Sequence, residues 1–144
     1  MSVHVFNDHG IRFSYPTDWQ IEVTDEGTVT TIAVQSPKGL AFLLITLDQS
    51  RPEPKAIADQ ALEAMREEYP SLDANPIEEM INGQTAFGHD IEFISLDLTN
   101  TCSIRCYRAR NRTVLYFGQW SDLEEETAEE IIQAVRSSLQ ETDE

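Results

Sequence analysis

Hydrophobic and polar positions alternate with a period of two along most of this chain, and twice the period lengthens to that of a helix. Val3 to Phe6 is a short β-prone piece that runs into the turn cluster Asn7-Asp8-His9-Gly10. From Ile11 to Tyr15, the apolar Ile11, Phe13 and Tyr15 share one side and Arg12 and Ser14 the other, as in a half-buried strand. Pro16 fixes its own φ and pushes Tyr15 toward extended geometry, so the chain bends here without helix. Trp19 opens the next strand, alternating with Ile21 and Val23, and its large ring is placed to anchor the corner in a core. Asp25-Glu26-Gly27 predicts a hairpin loop and Thr28 to Gln35 a return strand rich in β-branched residues. Ser36-Pro37-Lys38-Gly39 has the chemistry of a turn. Leu40 to Leu47 is apolar on both alternating faces, which predicts a central strand covered on both sides.

The period then changes. Pro54 is allowed in a first helical turn, and Ile57, Ala58, Ala61, Leu62, Met65 and Tyr69 recur at helical spacing until Pro70 stops them. Strand patterning returns from Pro76 to Ile81 and meets Asn82-Gly83, the strongest hairpin signal in the chain. Gln84 to Leu96 predicts a long strand with Phe87, Ile91 and Phe93 on one face, a turn over Asp97 to Asn100, and a strand over Thr101 to Ala109. Arg110-Asn111-Arg112 turns into a last strand, Thr113 to Trp120. Ser121-Asp122-Leu123-Glu124 matches a capping box with acids crowding the first turn. Ala128, Ile131, Ile132, Val135 and Leu139 form the stripe of a closing helix, and Glu141 to Glu144 predict a frayed acidic tail. The order is β-meander, helix, β-meander, helix. It predicts one domain over residues 1–144, of class α+β, with a mostly antiparallel sheet flanked by helices as a three-layer α/β/α sandwich.

Composition narrows the function classes. The 144 residues carry a formal net charge of −16, which makes nucleic-acid phosphate a poor partner. No apolar run approaches the roughly 20 residues that span a bilayer, and Met1 to Asp8 has neither a basic nor an apolar leader region, so a cytoplasmic location without a membrane partner is expected. Cys102 and Cys106 stand four apart on a predicted strand, roughly 13 Å between Cα atoms, beyond disulfide reach. Reduced, buried thiols fit a reducing compartment.

Candidate chemistry is sparse. His4, Asp8 and His9 lack a paired metal-ligand spacing, so no metal is expected. His89 and Asp90 are strand neighbours that point to opposite faces, which leaves His89 beside Phe87 and Ile91 near a core. No G-x-S-x-G, P-loop, G-x-G-x-x-G or H-E-x-x-H motif is present, so neither a catalytic residue nor a cofactor is expected. The local anomaly is a basic stretch, Arg105, Tyr107, Arg108, Arg110 and Arg112, inside an acidic chain. These five are the candidate partner-binding residues, as an anion or acidic-partner patch. The competing reading pairs the arginines with carboxylates across the sheet, with Asp90, Glu92 or the closing helix as partners.

The segment Gly10-Ile11-Arg12-Phe13-Ser14-Tyr15-Pro16-Thr17-Asp18-Trp19 resembles the amino-terminal signature of the Mog1/PsbP-like fold family, whose members often open on G-I-x-F-x-Y-P-x-x-W. The helix after the third meander strand, the long hairpins and the closing helix are similar in order and length. The resemblance implies a central antiparallel sheet flanked by helices and a binding or assembly role without shared enzymatic chemistry. The family includes the Ran-binding protein Mog1, a lumenal photosystem II subunit and bacterial proteins of unassigned role, and no functional residue transfers from any of them. The expectation is thus a bacterial, non-enzymatic interaction or assembly module with an unidentified protein partner. The alternative is a small-molecule binder with a pocket between sheet and helix. Oligomeric state stays open.

Overall fold

A computed structural model describes residues 2–123 and 125–142. Strands β1 (Val3–Asp8) and β2 (Ile11–Pro16) form a hairpin, turning at His9 and Gly10, both with positive φ. The chain then leaves for a second sheet built from β3 (Gln20–Glu26), β4 (Val29–Gln35), β5 (Phe42–Asp48), β6 (Asp73–Ile81), β7 (Gln84–Ser95), β8 (Leu98–Arg108) and β9 (Thr113–Ser121). Helix α1 (Pro54–Glu68) follows β5, and α2 (Glu125–Ser137) follows β9. A last short strand, β10 (Gln140–Glu141), returns to β2. The large sheet has the order β3-β4-β5-β9-β8-β7-β6 and every pairing in it is antiparallel.

The class is α+β, as the patterning implies, with the layers filled unequally. One face of the large sheet packs on α1, which lies over β7, β8 and β9. Ala58 and Leu62 of the helix stripe meet Ile91, Phe93, Cys102, Ile104 and Cys106 there. The other face packs on α2 together with the three-stranded sheet β1-β2-β10, so this outer layer is part helix and part sheet. Ile11, Phe13, Trp19, Leu43, Ile45, Tyr116, Ile132 and Val135 share that second core. Gly118 lets α2 come close, because a Cβ there would lie 2.9 Å from the Ile132 methyl.

Several expectations need correction. The Pro16 corner does not bend within one sheet; it hands the chain from the small sheet to the large one, with buried Trp19 filling the junction. Leu43, Ile45 and Leu47 are buried, but Phe42, Leu44 and Thr46 on the opposite face are only half-buried, since α1 stops short of β5. Val23 faces the core side yet stays exposed, because β3 is an edge strand. The turn expected over Asp97 to Asn100 is instead the pair Leu96-Asp97, and β8 starts at Leu98. Glu141 and Thr142 are not frayed: Glu141 pairs with Ile11 of β2, as Gln140 before it pairs with Arg12, and the Thr142 amide donates to the Gly10 carbonyl. Glu124 of the capping box and Asp143 and Glu144 of the tail lie outside the described residues.

Candidate functional site

Strand alternation separates the basic stretch. Arg105 and Tyr107 point to the α2 face, whereas Arg108 belongs to the α1 face and Arg110 and Arg112 to the loop after β8. Arg105 is only 5% exposed. Its Nε donates to Glu79 at 2.6 Å, one terminal nitrogen lies 2.9 Å from Asp90, and the other donates to the Ile104 carbonyl at 2.8 Å. Gly88, opposite Arg105 in register, can carry no side chain, since a Cβ would fall 1.8 Å from the Ile104 carbonyl oxygen. Arg136 of α2 joins the network through Glu79 at 3.3 Å and lies over the Tyr116 ring. Burial pushes the Tyr107 phenol up, and its oxygen accepts from the Asn82 amide at 3.2 Å.

The remaining arginines tie loops together. Arg108 donates to the Arg51 carbonyl at 2.9 Å, while Arg51 donates back to the Ala109 carbonyl. Arg112 is buried and donates to the His9 and Gly10 carbonyls and to the Glu141 carboxylate, fastening the β8–β9 loop to the small sheet. Arg110 is exposed at the loop. The structure therefore divides the five candidate residues between a buried network, two loop ties and one exposed position: Tyr107, Arg110 and Arg112 line one recess, and Arg105 and Arg108 do not join them there.

The other reactive side chains are held in packed settings. Cys102 and Cys106 are free and buried, and desolvation pushes the Cys106 thiol up to about 12, so no appreciable thiolate forms near neutrality. His89 points onto the α1 face, where Nε2 lies 2.9 Å from Asp59. The hydrogen bond from His89, followed by one from Lys55, holds the Asp59 carboxyl below its usual range. This link joins residues 30 apart in sequence, so neighbour patterning could not reveal it. His4 packs edge-on against Tyr15, and the His9 amide donates to Asp8.

A recess of about 320 Å³ beside the β8–β9 loop is lined by Tyr107, Arg110 and Arg112 together with Asn82 and Glu141. Two other concave surfaces flank the helices. A cleft of about 250 Å³ lies between α2 and the β6–β8 half of the large sheet. Its walls include the Arg105–Asp90 pair, Arg136, Tyr116 and Trp120. The second, about 450 Å³, is a groove between the end of α1 and the β7–β8 hairpin, lined by Tyr69, Pro70, Leu72, Phe93 and Ile94. Tyr69 and Phe93 stack there at 4.2 Å between ring centroids.

That hairpin is the surface the sequence did not single out. Its two-residue turn, Leu96-Asp97, has φ of 53° and 62°, the geometry that Asn-Gly adopts without strain. Leu96 is 92% exposed, and Ile94 two residues before it is 74% exposed. Leu123, 65% exposed, follows Asp122, whose amide donates to the Thr99 carbonyl opposite Ile94. Three exposed apolar side chains thus gather at one end of the sheet, beside the groove. The hint in the sequence was a leucine in the place where a two-residue turn calls for Asn or Gly.

Comparison with solved structures identifies the architecture. The solution structure of cyanobacterial PsbP (CyanoP) from Synechocystis sp. PCC 6803 superposes with a TM-score of 0.67 at 12% identity, over 97% of this chain and 92% of that one. The fold is PsbP-like. A PsbP-like fold is what the Gly10 to Trp19 resemblance implies. LpqN of Mycobacterium tuberculosis, described as involved in cell envelope biogenesis, matches at a TM-score of 0.54 and 12% identity over 99% of this chain and 91% of that one. A Bacteroides thetaiotaomicron protein matches at 0.56 and 12% identity over 94% of this chain but 46% of its own length. No family model matches the chain, and no curated protein does. These likenesses describe the backbone architecture. They carry no residue role across. No helix among the described residues is long and apolar enough to cross a membrane.

Proposed function

We propose that this PsbP-like domain is a non-enzymatic protein-interaction module of a bacterial cytoplasm, docking through the end of its large sheet at the β7–β8 hairpin. The observation that carries this reading is Leu96, which combines a positive φ with 92% exposure. A left-handed backbone costs a non-glycine residue about 1–2 kcal/mol, and an exposed leucine regains nothing from the fold for that cost. Strain combined with solvent-facing apolar surface marks a position kept for something outside the chain. The free, buried cysteines support a reducing compartment.

Leu96→Asn separates function from folding. Asparagine tolerates the turn geometry, so the variant gains about 1 kcal/mol in urea denaturation while losing partners that wild type captures from native lysate. Arg110→Glu, on the loop after β8, serves as the contrast and retains them. If Leu96→Asn captures the same partners, or Arg110→Glu alone loses them, docking lies elsewhere. A small-molecule role is the second reading, favoured by the cleft under α2. It predicts that a ligand bound there responds to Trp120→Ala and not to Leu96→Asn.

A further inference from the structure

We infer that the occupant of the β7–β8 end is a basic segment of a partner protein, with large apolar side chains seated in the groove between Tyr69 and Ile94. This rests on the docking reading above and adds the chemistry of the partner. The groove is apolar along Tyr69, Leu72, Phe93 and Ile94, yet Glu68, Asp73 and Glu92 line it too, with no Lys, Arg or His among its lining residues. Asp97 in the turn and Asp122 beside Thr99 add two more carboxylates at the same end.

Asp73 and Glu92 stand directly opposite each other in the β6–β7 register, on the sheet face they share with Asp90 and Glu79, so they border both this groove and the cleft that holds Arg105 and Arg136. Like charges in that position destabilise an antiparallel pair. On the same face Arg105 meets Glu79 and Asp90 and Arg136 meets Glu79, and in the β8–β9 loop Arg112 meets Glu141. Among the described residues, Asp73 and Glu92 form no ion pair. A cation carried in by a partner relieves their repulsion and gains charge-assisted hydrogen bonds from both. Apolar anchors then supply affinity, and the acidic rim sets register and speeds encounter.

The same rim argues against two other occupants. An anionic bilayer surface repels these carboxylates where the apolar tip would have to enter. A second copy of the chain brings an identical acidic rim against this one, on a molecule of net charge −16.

The test uses a displayed library of random peptides selected on the intact domain. Selected sequences should carry net positive charge with several large apolar residues, and their amide-shift changes should centre on Phe93, Ile94 and Leu96. The double variant Asp73→Lys, Glu92→Lys should bind them about tenfold more weakly, and about 0.5 M salt should weaken the wild type in the same sense. Selection of neutral or acidic peptides, no selection at all, or equal binding by the double variant overturns the inference. So does Leu96-dependent uptake onto phosphatidylcholine–phosphatidylglycerol vesicles, or a Leu96-dependent dimer in sedimentation. The two layers fail separately. If Leu96→Asn binds the peptides as wild type does, the docking reading itself is lost. If Leu96→Asn abolishes binding and charge reversal does not, only the partner's basic character is lost.

Discussion

Arg105 takes a permanent positive charge into the interior, where Glu79 and Asp90 compensate it and the Ile104 carbonyl accepts a third bond. Removing one member of a buried ion pair costs about 3–5 kcal/mol when the other is left stranded. Here the carboxylates are partly exposed and can rehydrate, so Arg105→Ala should cost about 3 kcal/mol or less, read from the urea midpoint. Arg105→Lys keeps the charge but loses the planar fork that reaches three acceptors, and should fall between. A midpoint unchanged in both variants would show the network to be incidental. Trp19 makes the contrasting case, a large ring that is buried at the junction of the two sheets. Trp19→Ala should cost roughly 3–5 kcal/mol, because the junction cannot collapse onto the void without moving one sheet against the other. If denaturation is unaffected, the ring does not hold the corner.

At the scale of elements, His89 and Asp59 join α1 to β7 across the sheet face. Asp59 has a depressed pKa in the fold, so its contribution to stability is present above the unfolded value near 3.8 and is lost as pH falls through the lower folded value. Asp59→Asn should therefore lower stability above about pH 4 and flatten its fall in acid, measured as urea midpoint against pH. An identical acid limb in wild type and variant would remove Asp59 from the acid response. The link was hidden in the sequence because its partners lie on different elements, whereas the helix stripes and the Asn82-Gly83 hairpin were plain from spacing alone. Asn82 and Gly83 adopt φ of 52° and 76°, the turn those residue types announce. Leu96-Asp97 makes a similar turn from residues that do not announce it, and the expected boundary slipped by several positions. Sequence showed where arginine was concentrated, but strand alternation and buried carboxylates decided which side chains reached a surface, with Arg110 and Arg112 at one recess and Arg105 turned inward. Strand β10 escaped notice because two polar residues carry no period.

For the whole molecule, two sheets of different size share one core, and the amino-terminal hairpin is held to the rest by Ile11, Phe13, Trp19 and the Arg112 clamp. Around this shell the charge is strongly one-sided, 26 acids against 10 bases. Many carboxylates are exposed, and their mutual repulsion weakens the compact state relative to the expanded chain. Salt shortens the range of that repulsion to roughly 10 Å at 0.1 M and roughly 3 Å at 1 M. The Arg105 pairs lie deeper and are screened less, so added salt removes more repulsion than attraction. The urea midpoint should then rise as sodium chloride is raised at neutral pH, before any effect of salt on apolar burial sets in. Chloride in place of sulfate keeps the two effects apart, because sulfate strengthens burial by exclusion from the surface. The single variant Glu92→Lys turns the facing like-charge pair with Asp73 into an opposite-charge pair without salt, so its midpoint should start higher and rise less steeply. A wild-type midpoint that falls with chloride would mean that the ion pairs outweigh the acidic surface.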